Sequence, residues 1–143
     1  MSNGYEYIKK AGGMCLTSEY PYTAKDGSCK SCSPVVSVSG YKTVATNDDA
    51  HIEALQSGPV GVALAASSSA FQFYSSGILT SCTDRSINHG VTVVAYGTEG
   101  GVEYYTIRNS WGASWGDKGY IKIAARNKNC GLTTSTFDVF PTL

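Results

Sequence analysis

Two runs of β-branched and aromatic residues, V-T-V-V-A-Y at 91–96 and V-E-Y-Y-T-I-R at 102–108, flank Gly97-Thr98-Glu99-Gly100-Gly101. Such runs read as strands, and a short Gly-rich link between them reads as a hairpin turn. This hairpin constrains the chain more than any other stretch, because its register decides which polar residues meet. His89 stands just ahead of the first arm and Asn109 just after the second. Their positions are symmetric about residue 99, the middle of the turn, so a regular hairpin sets them opposite each other. Cross-strand neighbours have Cβ atoms roughly 4.5–5.5 Å apart, close enough for an amide oxygen to accept a ring N–H. A one-residue bulge would break that pairing.

An imidazole oriented by an amide is half of a nucleophilic site. The amide selects the tautomer and the ring angle, and the free ring nitrogen faces a thiol or hydroxyl as general base. Trp111, two residues after Asn109, could cover the pair and exclude water, which strengthens the bond. The same spacing is met by a histidine and an asparagine that merely satisfy each other at a sheet end. Spacing alone leaves both readings open. The loop S-W-G-A-S-W-G-D-K that follows could equally plug the end of a sheet. Trp115 reads as mostly structural and Trp111 as adjacent to a site.

Around the hairpin the chain alternates short helices and strands. Residues 3–11 read as a helix capped by Ser2 or Asn3, with Tyr5, Ile8 and Ala11 on one face and Gly12-Gly13 as its stop. Residues 14–34 read as loop, punctuated by Tyr20-Pro21-Tyr22, Asp26-Gly27 and Ser33-Pro34. A strand follows over 35–44, with a break at Gly40. A second helix runs from Thr46 to Ser57, with Asp48 and Asp49 at its positive end and Ile52 and Leu55 facing inward. His51, among Asp48, Asp49 and Glu53, reads as a solvated surface histidine. Residues 59–66 read as a buried strand. A helical turn from Ser67 carries Phe71, Phe73 and Tyr74, which read as core. Further strands are expected over 119–124 and near 136–140.

The 143 residues suit one domain with a real core, and 42% hydrophobic with 15% charged residues describe a globular chain. Eleven basic residues cancel eleven acidic ones, so no basic stripe recommends nucleic acid or an anionic membrane as partner. No apolar run reaches the length of a membrane span, and M-S-N-G-Y-E-Y opens no signal peptide. Five cysteines, an odd number, point to an oxidising compartment and an outside partner for one of them. Cys29-Lys30-Ser31-Cys32 is a poor redox motif, because Ser33-Pro34 and not a helix follows it. It is also a poor zinc site, because no second ligand pair exists. No metal or cofactor is expected, and no N-x-S/T sequon is present.

The string N-S-W-G-x-x-W-G-x-x-G-Y from Asn109 to Tyr120 resembles the active-site segment of the papain-like cysteine peptidases, the cathepsin L and papain group. N-H-G-V at 88–91, followed by V-A-Y-G at 94–97, resembles their catalytic histidine segment. Gly12-Gly13, Glu19 to Tyr22, Gly58-Pro59-Val60, Phe71 to Tyr74, Gly77-Ile78 and Cys130-Gly131-Leu132 keep the family order, so the likeness covers nearly the whole chain. It implies an α+β fold, an antiparallel barrel-like sheet with short helices. Residues 1–34 would be a remnant of the helical lobe and its connecting loop, and 35–143 the β-rich lobe. His89 would be the catalytic base, Asn109 its orienter and Trp111 the shield. Cys82 and Cys130 match a family disulfide, and Cys29 a cysteine whose partner lies in the absent half. Cys15–Cys32 is then the leftover pair. Ala63, Ile87, Asn88, Gly90 and Ser135 match substrate-binding positions. Ala63, Ile87, Gly90 and Ser135 would line the pocket for the residue two before the cut, uncharged and suited to Leu, Phe or Val.

The departure from the family is as informative. Its nucleophile sits in a Q-x5-C segment, and no such segment occurs here. With His89 roughly 130–150 residues after that cysteine, the thiol would lie roughly 40 or more positions before Met1. None of Cys15, Cys29, Cys32, Cys82 or Cys130 stands in its context. The chain therefore resembles the last two-thirds of a mature endopeptidase, inactive alone. Peptide or protein substrate, the missing segment that supplies the thiol, and proteinaceous inhibitors are the implied partners. A secreted or lysosome- or vacuole-like setting is implied too. Two other readings fit the same residues: a non-proteolytic homologue, and a half-peptidase that acts as a binding or inhibitory module.

Overall fold

The structure is a computed structural model that describes residues 1–142. Helix α1 spans Ser2–Lys10, and strand β1 Gly40–Thr43. Helix α2 spans Asp48–Leu55 and strand β2 Val60–Leu64. The single turn α3 spans Ser69–Gln72, and the two-residue strand β3 Ile78–Leu79. Strands β4 (His89–Glu99), β5 (Val102–Arg108) and β6 (Tyr120–Ala124) follow. A 3-10 turn covers Asn129–Gly131, and β7 covers Val139–Thr142. The strand order is β1-β7-β2-β4-β5-β6-β3. This is the expected mixture of sheet and short helices, but β1 and β3 are open ends, so the sheet does not close into a barrel. Nor is it wholly antiparallel, because β3 runs parallel to β6.

The chain divides into two compact units, one of residues 43–140 with Met1, the other of residues 2–42 with Pro141 and Thr142. In the larger unit, β2 reads V-G-V-A-L and is shielded on both faces, as an apolar run inside a sheet should be. β5 and β6 alternate. Tyr105, Ile107, Ile121 and Ile123 point into the core, while Thr106, Arg108, Tyr120 and Lys122 point away. Phe71, Val62, Leu64, Val93 and Leu132 complete the core. Each large apolar side chain buried in this way contributes about 1.5–3 kcal/mol. The bond between Cys82 and Cys130 ties the 3-10 turn to the segment ahead of β4.

The smaller unit has little core. α1 buries none of its residues. Gly13 closes the helix, with its N–H donated to Ile8 O and its neighbour Met14 bridged to Val36. The bond from Cys15 to Cys32 closes the loop between them, Tyr5 stacks on Tyr41, and Ser39 donates to Thr142 O. Only Gly40–Thr43 of the anticipated strand 35–44 is regular, so the break expected at Gly40 is where the strand begins.

α2 holds the clearest correction. Asn47 caps it, its side chain accepting from Ala50 N. His51 is not a solvated surface residue but 1% exposed. Its Nδ1–H donates to Asn47 O at 2.8 Å, and its Nε2 lies 2.9 Å from Asp138 Oδ2. The buried face of α2 is His51 and Ala54, and Ile52 and Leu55 are only partly covered. The acidic neighbours of His51 in sequence misled, because the carboxylate it meets lies 87 positions away.

Candidate active site

The hairpin turns on Gly100-Gly101, both with positive φ, as a two-residue hairpin turn that follows the strand twist requires. The turn therefore centres one and a half residues later than residue 99. A bulge at Val94 then shifts the register, from Tyr96↔Tyr105 on the turn side to Val93↔Ile107 and Thr92↔Arg108 beyond it. Neither His89 nor Asn109 is in the β4–β5 ladder; His89 pairs with Leu64 of β2 instead. Continued outward, that register would set His89 against residue 111, two beyond Asn109. Diagonal neighbours of this kind are within reach of long side chains.

That reach is used. His89 Nε2 lies 2.8 Å from Asn109 Oδ1. The same oxygen accepts the Ser110 N–H at 2.8 Å, so the atom facing the imidazole is the carbonyl oxygen and the ring nitrogen must carry the proton. Nδ1 is left as the basic nitrogen, with no described hydrogen-bond partner. Asn109 is 8% exposed, and its own N–H is held by Gly119 O. Trp111 lies over the pair, its ring 5.0 Å from the imidazole and inclined by 33°. Phe71 meets His89 and Trp111 edge-on at 6.3 and 5.5 Å. Trp115 packs on Phe71 and Trp111 and donates its indole N–H to Gln72 O. The order is thus core, aromatic wall, imidazole. The wall comes from α3 and from the turns after β5, which Trp115 N→Gly112 O and Gly119 N→Trp115 O close.

Of the other residues singled out in the sequence, Ala63 and Gly90 lie on β2 and β4, Ile87 and Asn88 just ahead of β4, and Ser135 ahead of β7. Ala63 pairs with Gly90 in the β2–β4 ladder, one position from His89. Ile87 covers Gly131 so closely that a Cβ there would sit 2.7 Å from Ile87 Cδ1. Ser135 is buried and accepts the Phe137 N–H. Asn88 is committed elsewhere: its amide oxygen accepts from Ala66 N and its amide N–H donates to Ser67 Oγ at 2.7 Å. Of the cysteines, Cys29 is a free, exposed thiol and belongs to the smaller unit. No group of three or more His, Cys, Asp or Glu able to hold a metal occurs among the described residues.

Sequence reasoning missed two functional-looking features. One is Phe71 as a direct neighbour of the imidazole, which its place in a helical turn with Phe73 and Tyr74 did not separate from ordinary core; Phe73, expected in the core with it, is instead 82% exposed. The other is the Asp138 carboxylate beneath β2, which accepts the Ala63 N–H and faces His51. A local signal for either is lacking, because both depend on contacts between distant segments.

The family model described as papain family cysteine protease matches residues 1–140. Vignain of Ricinus communis is 42% identical over 141 residues, covering 92% of this chain and 39% of vignain. Procathepsin L of Rattus norvegicus is 43% identical over 145 residues, covering 94% of this chain and 43% of its own length. The bromelain protease of Ananas comosus, solved with the E64 inhibitor, superposes with a TM-score of 0.91 at 31% identity over 99% of this chain and 68% of that one. The chain thus spans about two fifths of the curated relatives it matches.

Proposed function

The chain belongs to the papain family of cysteine proteases, and from that premise we propose that it carries the base half of a cysteine endopeptidase site. The observation that carries the reading is the Nε2–H of His89 donated to Asn109 Oδ1 beneath Trp111. In this reading His89 is the general base and acid, Asn109 orients it and Trp111 keeps water off their bond. Nδ1 takes the proton of a thiol to form a thiolate–imidazolium pair. The thiolate attacks the peptide carbonyl, and Nδ1–H then protonates the leaving amine. Water hydrolyses the acyl-enzyme with His89 again as base.

The thiol and the oxyanion-hole glutamine come from a segment outside these 143 residues. Residues 1–34 are the remnant of the helical lobe and its connecting loop, and 35–143 are the β-rich lobe. Ala63, Ile87, Gly90 and Ser135 form the pocket for an uncharged substrate residue. Asn88 contributes by its backbone carbonyl, since its side-chain amide and its own N–H are engaged. Cys29 is the thiol whose disulfide partner lies in the absent segment. Peptides and proteins are the substrates, and proteinaceous inhibitors of cysteine proteases are partners. Two disulfides favour a secreted or lysosome- or vacuole-like setting.

The test has two arms. The 143-residue chain alone, given an epoxysuccinyl thiol probe and a Phe-Arg fluorogenic peptide, shows no turnover. Losing one oxyanion donor costs roughly a hundred- to a thousandfold, and losing the nucleophile removes the acyl-enzyme route. Joined to a segment with the Q-x5-C motif, the same chain turns over the peptide, and His89→Ala abolishes this. Turnover by the chain alone that His89→Ala removes would show that one of its own cysteines has taken the role.

A further inference from the structure

The buried pair His51–Asp138 lies outside the chemistry just described, yet it reaches the substrate pocket. Both side chains are shielded from water, at 1% and 0% exposure. Asp138 uses both oxygens. Oδ2 faces His51 Nε2, and Oδ1 accepts the backbone N–H of Ala63 at 2.9 Å. Its carbonyl oxygen also accepts Val44 N. His51 is fixed in turn by Nδ1–H to Asn47 O, at the cap of α2. With Nδ1–H directed at a carbonyl, the contact between Nε2 and Oδ2 carries one further proton. The pair is therefore net neutral whichever atom holds it, which is how a buried acid and base avoid an uncompensated charge.

The geometry gives Asp138 a particular place. β7 pairs with β2 at one position, Gly61↔Val139. Two residues further along β2, at Ala63, where the ladder would have to continue to residue 137 ahead of β7, a side-chain carboxylate takes the N–H in place of a backbone carbonyl. The chain before Asp138 thereby leaves the sheet and turns through Ser135, where Phe137 N bonds Ser135 Oγ. Ala63 and Ser135 are two walls of the pocket in the reading above. One hydrogen bond links the backbone of the first wall to a residue three positions after the second. On the other edge of β2, Ala63 and Leu64 pair with Gly90 and His89.

We propose that Asp138, buttressed by His51, is a positioning residue that sets the width of the substrate pocket by pinning Ala63 of β2 to the Ser135–Phe137 turn. The inference rests on the assignment of Ala63 and Ser135 to that pocket. Asp138 touches no substrate and takes no part in proton transfer.

The experiment uses the 143-residue chain, amide exchange read by NMR, and titration with a capped Leu-Arg dipeptide. In the unaltered chain the Ala63 amide is protected, and the peptide shifts the signals of Ala63, Gly90 and Ser135. Asp138→Ala speeds exchange at Ala63 at least tenfold more than at Val62 and Val93, which report overall opening, and weakens peptide binding about tenfold. Asp138→Asn, which keeps an oxygen for Ala63 N–H, restores the Ala63 protection and most of the binding. Equal acceleration at all three amides in Asp138→Ala would overturn the proposal, as would peptide binding that Asp138→Ala leaves unchanged. So would loss of Ala63 protection in a folded Asp138→Asn. If the unaltered chain shows no peptide shifts at these residues while Ala63 stays protected by Asp138, the pocket reading is what fails, and the width claim falls with it.

Discussion

Residues 43–140 and residues 2–42 are held by different physics. In the first, Leu64, Phe71, Tyr105, Ile107, Ile121 and Ile123 are shielded from water almost completely. In the second, Gly13 is the one buried residue among those described, and the order rests on a cross-link and a few hydrogen bonds. Both contain amphipathic patterns, since Tyr5 and Ile8 in α1 repeat as regularly as the inward residues of β5. Pattern makes a segment able to form a core, but a second layer must be present to bury it. The sheet brings its own second layer in α2, Phe71 and Leu132. The apolar face of α1 is only half covered, with Tyr5 stacked on Tyr41 and no residue fully buried.

The disulfides give the largest test of that contrast. On the chain-entropy estimate, the 48-residue closure by Cys82–Cys130 is worth about 4 kcal/mol and the 17-residue closure by Cys15–Cys32 about 3. Cys82→Ala with Cys130→Ala should move the main urea transition, followed by tryptophan fluorescence, because both tryptophans sit in the larger unit. Cys15→Ala with Cys32→Ala should leave that transition in place and remove amide protection from residues 13–36 alone. A common shift from both pairs would mean that the two units unfold as one.

Side-chain truncation sharpens the same point. Ile107→Ala removes a fully buried side chain and should cost about 2–5 kcal/mol. Ile8→Ala, from a half-buried position on α1, should cost no more than about 1 kcal/mol. Equal losses in chemical denaturation would contradict the contrast.

A smaller effect is expected at alkaline pH. Burial, and then the hydrogen bond to Asp48, push the Tyr105 phenol well above its usual range. The bond to Glu103 raises Tyr96 in the same direction. In the unfolded chain a tyrosine titrates near pH 10. The unfolded state then releases its proton first, so the contribution is intact below about pH 10 and is lost as pH rises beyond it. Tyr105→Phe should cost about 1 kcal/mol at neutral pH and flatten the alkaline fall. An unchanged alkaline slope in the variant would assign the fall to other groups.

The smallest effect belongs to Arg126. It pairs with Asp49 and Glu103 at the surface, where solvent screens the charges. Arg126→Gln should leave the denaturation midpoint unmoved, and a clear shift would show that this surface network helps dock α2.

Much of this molecule was legible in its sequence where periodicity and turn chemistry act locally. The strands β2, β5 and β6, the start of α2 and the hairpin all follow from neighbours along the chain. The likeness of Asn109–Tyr120 to a known active-site segment located the tryptophan loop. What failed depended on partners distant in sequence. His51 is buried because of Asp138, and no window around residue 51 contains that carboxylate. The strands run on to Glu99 and Val102, so the turn lies at Gly100-Gly101 and not at residue 99. That displacement, which the bulge at Val94 only partly offsets, is why the simple count set Asn109 opposite His89. The true register leaves them diagonal, and the bond forms because both side chains are long enough to close the gap. The open edges at β1 and β3 were hidden for a similar reason, since strand order is a property of the assembled sheet.

The central claim is that Asn109 holds His89 in the tautomer whose free nitrogen is Nδ1. Nitrogen-15 NMR of the histidine rings, at a pH where His89 is uncharged, reads this directly. The account predicts a protonated, pyrrole-type Nε2 and a pyridine-type Nδ1 for His89, with the two forms mixing in Asn109→Leu. A His89 protonated at Nδ1, or a tautomer that Asn109→Leu leaves unchanged, would contradict it.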